Sequence, residues 1–321
     1  MLVHTDFLRE NPAMADPLSD ILHLVDAQCA MSGGFHAGPR WAMRFPPPSQ
    51  IKFSAMMKGN GWFVLPDHAP IRMETGDVVL INADTSFILT SDPSLEPRDA
   101  TMVFANKVDG ITRYDEGDDT FMLGGHVTLD EARGHLLRDV LPPVIHVSAA
   151  SPEAAMLRAM LGQLVGEIAQ RQPGSALASA NLAQLMFVQV LRVHLESSEP
   201  LVSGWLQALT DQRIAQTLRI MHGDPGRAWG LEELAQSVNM SRTTFAERFK
   251  NMVGVAPLAY LTRWRMYLAE RALSKEDTPI ASLALSLGYT SESAFSHAFK
   301  RSMGMPPKRY RMRSRISDIR A

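Results

Sequence analysis

At 321 residues, 45% apolar and 21% charged, the chain is too long for one small core and ordinary enough in composition to bury a sizeable one. It shows no run of roughly 18 to 20 uninterrupted apolar residues, no basic segment leading an apolar one at the start, and a single cysteine, which points to a cytoplasmic protein without an intramolecular disulfide. The net charge of −2 divides unevenly: residues 211–321 carry 18 Lys and Arg against 10 Asp and Glu, and residues 1–210 carry 14 against 24.

Phosphate neutralisation by Lys and Arg drives non-specific nucleic-acid affinity, so the basic end is the part suited to a polyanion. A solvated tail fits the same excess, since the run from Lys308 to Arg315 supplies much of it.

In chain order, the first 20 or so residues, with Pro12 and Pro17, read as a loose lead-in. Short apolar runs then alternate with turn residues, and five of them predict strands: Ile51–Met56, Gly61–Leu65, Asp77–Ile81, Ser86–Leu89 and Thr101–Phe104. Such spacing implies an antiparallel sandwich or barrel over residues 1–150. Near Ser151-Pro152 the period lengthens. Leu157, Leu161, Leu164 and Ile168 predict one amphipathic helix; Leu182, Leu185, Met186, Gln189, Val190 and Val193 predict a second. This hairpin, in residues 151–200, must bury its stripe on its own domain or on a second copy of the chain. Glu196 to Pro200 reads as the linker, and everything from Trp205 onward reads as helix.

The C-terminal part repeats itself. Leu234-Ala235 matches Leu283-Ala284 at an offset of 49; Ser241, Phe245, Phe249-Lys250, Gly254 and Pro257 match Ser291, Phe295, Phe299-Lys300, Gly304 and Pro307 at an offset of 50. Each copy is a short helix, a tight turn and a second helix opened by a serine that can cap it. The copies span 231–254 and 280–304. That is the geometry of a helix-turn-helix, whose second helix enters the major groove. With the phenylalanines turned inward, the opposite faces hold the candidate readers. They are Arg242, Thr243, Ala246, Glu247 and Lys250 in the first copy, and Glu292, Ser293, Ser296, His297, Lys300 and Arg301 in the second. Arg and Lys suit phosphates and guanine edges, Glu accepts from cytosine, Ser and Thr serve either, and Ala can touch a thymine methyl.

The segment from Trp229 to Arg311 resembles the paired helix-turn-helix domain of the AraC/XylS family of bacterial regulators. The likeness is carried by Ile280, Leu283-Ala284, Gly288-Tyr289, Ser291, Phe295, Phe299-Lys300-Arg301, Gly304, Pro306-Pro307 and Tyr310-Arg311. Upstream, Pro70–Leu89, Leu141–His146 and Trp205–Asp211 through Met221–Pro225 resemble a subgroup with a cupin-like N-terminal sensor domain. The resemblance implies an α+β chain with a cupin-like antiparallel barrel and a helical hairpin, followed by an all-α domain over 205–313. It also implies one protomer reading two successive major grooves of double-stranded DNA, bridged by a helix over Leu258–Leu273. A homodimer, a small-molecule effector and contact with RNA polymerase are the partners expected.

Cupin barrels often hold a metal with a His-x-His pair, a Glu and a further His. Residues 51–57 contain no His, Phe87 stands where a later His belongs, and His36 and His68 lack ligand-like spacing. This favours binding over chemistry: no catalytic residue, metal or cofactor is expected. Trp41, Phe53, Trp62, Phe63 and Phe87 are the candidate lining of a ligand pocket, with a plain aromatic core as the alternative. Cys29, in a glycine-containing stretch, is the candidate for redox sensing if its thiolate is exposed and stabilised; otherwise it is a small buried hydrophobe.

Overall fold

Alternating in-and-out side chains build the first unit and a 3.6-residue period builds the second. The computed structural model describes residues 16–106, 110–170, 172–197 and 201–318; residues 198–200 of the expected linker lie outside these. Asp26–Leu201 forms one compact unit, and Val202 onward forms the other together with the chain up to Val25.

After helix α1 (Pro17–Leu24) the chain enters the sheet unit through β1 (Gln28–Ala37), β2 (Ala42–Phe45), β3 (Ile51–Lys58), β4 (Asn60–Val64), β5 (Ile71–Glu74), β6 (Val78–Ile81) and β7 (Phe87–Thr90). It continues with β8 (Arg98–Asp99), α2 (Ala100–Val103), β9 (Ile111–Arg113), β10 (Thr120–Thr128), α3 (His135–Arg138) and β11 (Val144–Val147). The strands make a six-stranded sheet, β11-β6-β3-β10-β1-β9, and a five-stranded one, β5-β4-β7-β2-β8. Phe35, Met56, Ile81 and Met122 of the first meet Met43, Phe63, Phe87 and Leu89 of the second in one buried cluster, so the inner faces pack on each other.

Four of the five strands expected from sequence fall on β3, β4, β6 and β7. The fifth does not. Thr101–Phe104 lies in α2 and the 3-10 turn after it, because the Asp99 carboxylate accepts from Thr101 N at 2.8 Å and caps a helix start there. Conversely, β1 and β10 pair along the interior of the larger sheet, although Gly33, Gly34, Gly124 and Gly125 hide them from a propensity reading.

A helical hairpin, α4 (Ala155–Gln170) and α5 (Ser175–Glu196), closes the unit, with α5 packed on α4, β1 and β11. An 18-residue window of α5 has a mean hydropathy of 1.3, long and apolar enough by composition to cross a membrane. Its Ala183, Met186, Phe187, Val190 and Leu191 are buried within the unit. Leu185 is 46% exposed, so the buried stripe lies one residue round from the expected one.

The second unit is all helix: α6 (Trp205–Ala208), α7 (Gln212–Gly223), α8 (Leu231–Ser237), α9 (Arg242–Val253), α10 (Pro257–Lys275), α11 (Ile280–Ser286), α12 (Glu292–Met303) and α13 (Pro307–Asp318). From Pro17 on, the expected lead-in is structure. Asp16 caps α1, which buries Leu18, Ile21 and Leu22 and packs on α7 and α10. There Asp20 Oδ2 lies 3.3 Å from His222 Nδ1, and Tyr260 Oη lies 2.8 Å from His222 Nε2. His222 also stacks on Trp264 at 3.8 Å.

Asp77 ties the sheet unit together. Its buried carboxylate accepts from Ala149 N at 2.7 Å, Glu74 N at 3.0 Å and His146 Nε2 at 3.0 Å. Burial pushes this carboxyl up, but the His146 and backbone hydrogen bonds outweigh that and hold it below its ordinary value. Asp77→Ala strands these donors and is expected to cost about 2–4 kcal/mol, read by urea unfolding at pH 7. Because the folded-state pKa is depressed, the stabilisation is fully present above the ordinary Asp value of about 4 and is lost as pH falls from there through the lower folded-state pKa. The gap between wild type and variant should therefore shrink in acid.

Candidate nucleic-acid interface

Both helix pairs of the second unit turn in the same way. α8 ends with Asn239 at φ 54° and α11 with Gly288 at φ 79°, each in the left-handed region. In the first, Met240 N donates to Ala235 O at 3.0 Å; in the second, Tyr289 N donates to Ala284 O at 2.9 Å. These are Schellman closures, which satisfy the last carbonyls of the short helix and redirect the chain. Ser241 and Ser291 then cap α9 and α12, accepting from Thr244 N at 3.3 Å and Ala294 N at 3.1 Å. Gly254 at φ 82° and Gly304 at φ 75° end them.

Packing sets the rotation of these two helices. Phe245, Phe249, Phe295 and Phe299 are each 0% exposed. Phe249 meets Tyr260 of α10 edge-on at 5.8 Å, and Phe299 meets Tyr310 of α13 edge-on at 5.6 Å. The sequence reading missed Tyr260 and named Tyr310 only as part of the family likeness, although the two keep the 50-residue offset of the repeat. With the phenylalanines committed inward, Arg242, Thr243, Glu247 and Lys250 of α9 are exposed and Ala246 is half-buried. On α12, Glu292, Ser293, His297, Lys300 and Arg301 are exposed and Ser296 is half-buried. The candidate readers are thus gathered on the open face of each helix.

The charged side chains off that face are held. Arg248 Nε donates to Asp211 Oδ2 at 2.6 Å, and Asp211 also accepts from Arg213 N and Ile214 N as the cap of α7. Arg265 of α10 donates to Pro225 O at 2.6 Å and to Arg227 O at 2.8 Å. Beside that clamp Gly226 and Gly288 touch. A Cβ on Gly288 would stand 2.1 Å from Gly226 O, so this turn admits no side chain, whereas Asn239 supplies the left-handed residue in the first turn.

In the sheet unit a cavity of about 260 Å³ opens between the two sheets. Of its expected lining, Phe53 and Phe87 border it and the other three do not. Trp41 and Phe63 are core, Trp41 donating from Nε1 to Thr120 Oγ1 at 3.1 Å. Trp62 is half-buried, with the Arg72 guanidinium 5.7 Å from its ring. Lys52, which sequence reasoning missed, is the one ionisable residue lining the cavity among the described residues. His36 Nδ1 pairs with Asp118 at 2.5 Å, and His68 Nδ1 lies 2.9 Å from Pro66 O. Cys29 is buried, and burial alone pushes its thiol up to about 12, so the protonated thiol prevails at neutral pH. The exposed, stabilised thiolate envisaged from sequence is not what the fold provides.

Residues 16–196 match a cupin family and residues 234–313 a helix-turn-helix domain family. An AraC-like transcription regulator of Streptomyces lividans is 43% identical over 297 residues, covering 92% of this chain and 98% of the relative. The chain belongs to the AraC family of transcription regulators. The HTH-type transcriptional regulator AlkR of Acinetobacter baylyi is 30% identical, over 85% of this chain and 92% of its own length. Among solved structures, the DNA-binding domain of AdpA in complex with a target DNA is 30% identical over 33% of this chain and 96% of that one, with a TM-score of 0.32. The AraC-type assignment accounts for the charge asymmetry, since the helix-turn-helix match lies within the basic third of the chain.

The two turns give a paired stability prediction. Gly288→Ala forces a side chain into a left-handed residue and into Gly226 O, and should cost about 3 kcal/mol in thermal unfolding. Asn239→Gly keeps the conformation accessible and should stay within about 0.5 kcal/mol of wild type.

Proposed function

We propose that α9 and α12 read two successive major grooves of one operator, with α10 setting their spacing, so that each protomer carries two helix-turn-helix motifs. The observation that carries this reading is the repeated arrangement. Two serine-capped helices, 50 residues apart, bury equivalent phenylalanine pairs and leave equivalent polar faces open. Arg242, Lys250, Lys300 and Arg301 supply cations for phosphates and guanines. Glu247, Glu292, Thr243, Ser293 and Ser296 supply acceptors and small polar contacts, and Ala246 and His297 complete the two faces.

The sheet unit, read as a cupin-like barrel, serves as the sensor for a small molecule held between its sheets. The chain acts as a homodimer through the α4–α5 hairpin, where Met156 is 53% exposed, Leu177 69% and Leu185 46%. Occupancy of the sensor alters operator binding or the contact with RNA polymerase. The work of the protein is regulation in the cytoplasm, with no reaction catalysed.

Electrophoretic mobility shift with DNA flanking the encoding locus tests the DNA reading. A retarded complex should form at moderate salt and survive competitor DNA. Lys300→Ala should weaken it for every sequence and lower the slope of log K against log salt by about one. Arg242→Ala should relax preference in one half of the site, at about 1–3 kcal/mol. Affinity confined to very low salt, with no sequence preference, would overturn the proposal.

A further inference from the structure

The cavity between the sheets has two chemically distinct ends. Its deep part is aromatic: Phe45 and Phe87 stack at 4.9 Å and 4°, and Phe104 stands edge-on to Phe35 at 6.4 Å. Met122 and Leu89 complete that part. The other end is polar and cationic. Lys52 alternates along β3 onto the same face as Met56, a residue of the inter-sheet core. Its register partner on β10 is His126, whose Nδ1 lies 2.8 Å from Ser32 Oγ. Among the described residues no carboxylate lines the cavity and none pairs with the Lys52 ammonium.

A missing side chain keeps the space open. Gly124 faces Ser54 across β10 and β3, on that same inner face. A Cβ there would meet nothing nearer than Phe53 O at 3.6 Å, in ordinary backbone geometry. Neighbouring Gly125 is different, since its Cβ would overlap the Phe53 ring at 2.1 Å. Protein interiors are otherwise close-packed, so an aromatic void that one methyl group could begin to fill is a place built for an occupant.

The two ends define that occupant. A neutral apolar molecule would fill the aromatic part and leave the lysine without a counter-charge. A hydrophilic anion would leave the aromatic walls without contacts. A buried carboxylate, by contrast, needs a charged hydrogen-bond donor, and Lys52 provides one at the right end. At about 30 Å³ per water-sized group, the cavity takes on the order of ten non-hydrogen atoms.

We propose that this cavity binds a small amphipathic monocarboxylate, its carboxylate at Lys52 and its apolar body among Phe35, Phe45, Phe87 and Phe104. Burial, which lowers the proton affinity of Lys52, makes an incoming anion the natural partner for the protonated amine. The inference rests on the reading of the sheet unit as a sensor and names the class of molecule sensed.

Titration calorimetry on the full chain tests it, with octanoate and phenylacetate against their neutral amides, octanamide and phenylacetamide. The acids should bind one per chain, at least tenfold tighter than the amides. Lys52→Met should reduce that preference to threefold or less, and Lys52→Arg should retain it. Gly124→Leu should abolish binding of acid and amide alike while leaving the melting transition cooperative. Should Gly124→Leu fail to fold, the acid-to-amide ratio in Lys52→Met still decides. Equal affinity for acid and amide in the wild type, a preference untouched by Lys52→Met, or no binding of either acid at millimolar concentration would overturn the proposal. Mobility shift on the same preparations separates the two readings: intact DNA binding without carboxylate binding removes this inference alone.

Discussion

Inward commitment of four phenylalanine rings is the constraint on which the DNA-reading unit depends. A helix of 12 residues with Phe at the fourth and eighth positions has one rotation about its axis that removes both rings from water. In α9 and α12 that rotation is taken, and tyrosines from α10 and α13 close over the second ring of each pair. Burying an aromatic side chain stabilises a fold by about 1.5–3 kcal/mol. The direction in which Arg242, Lys250, Lys300 and Arg301 point is therefore set by hydrophobic burial on the far side of the helix. Placement of charge, here, is a by-product of packing apolar rings.

The arrangement of α9 and α12 draws on a second constraint, the approach of Gly226 to Gly288 beside the Arg265 clamp. Close backbone approach ties the segment leading into the first helix pair to the turn of the second, and the Arg265 guanidinium, shared by the Pro225 and Arg227 carbonyls, ties that segment to α10. α10 joins the same two places through the chain. Two independent connections between the halves leave less freedom than a bridging helix alone would allow.

Legibility in the sequence followed the strength of local signals. The helical repeat was readable because Ser, Phe, Gly and Pro each have a fixed task in a capped, inward-packed, glycine-terminated helix, and they recur in register. β3, β4, β6 and β7 were readable from their apolar runs. β1 and β10 were not, because the four glycines of this pair leave little β-propensity, and tertiary pairing supplies what the local chain does not. Residues 101–104 misled in the opposite sense: the β-branched and aromatic character was real, but the Asp99 cap prevailed. The aromatic residues near the cavity could be named from sequence but not sorted, since lining and core positions differ only in which strand face they occupy. Lys52 carried no signal beyond being a lysine inside a predicted strand; its meaning arises from the register that sets it beside His126.

Helix α1 lies at the opposite end of the chain from the helices it covers. Its Leu18, Ile21 and Leu22 are buried in the DNA-reading unit, and Arg271 donates to His23 O at 2.7 Å. The sheet unit is thus an insertion, attached through both its first and its last residues. A fragment cut out from residue 205 onward would bare the apolar surfaces of α7 and α10 that α1 shields. Exchanging the sheet unit for another domain, by recombination or in the laboratory, accordingly requires two crossovers rather than one.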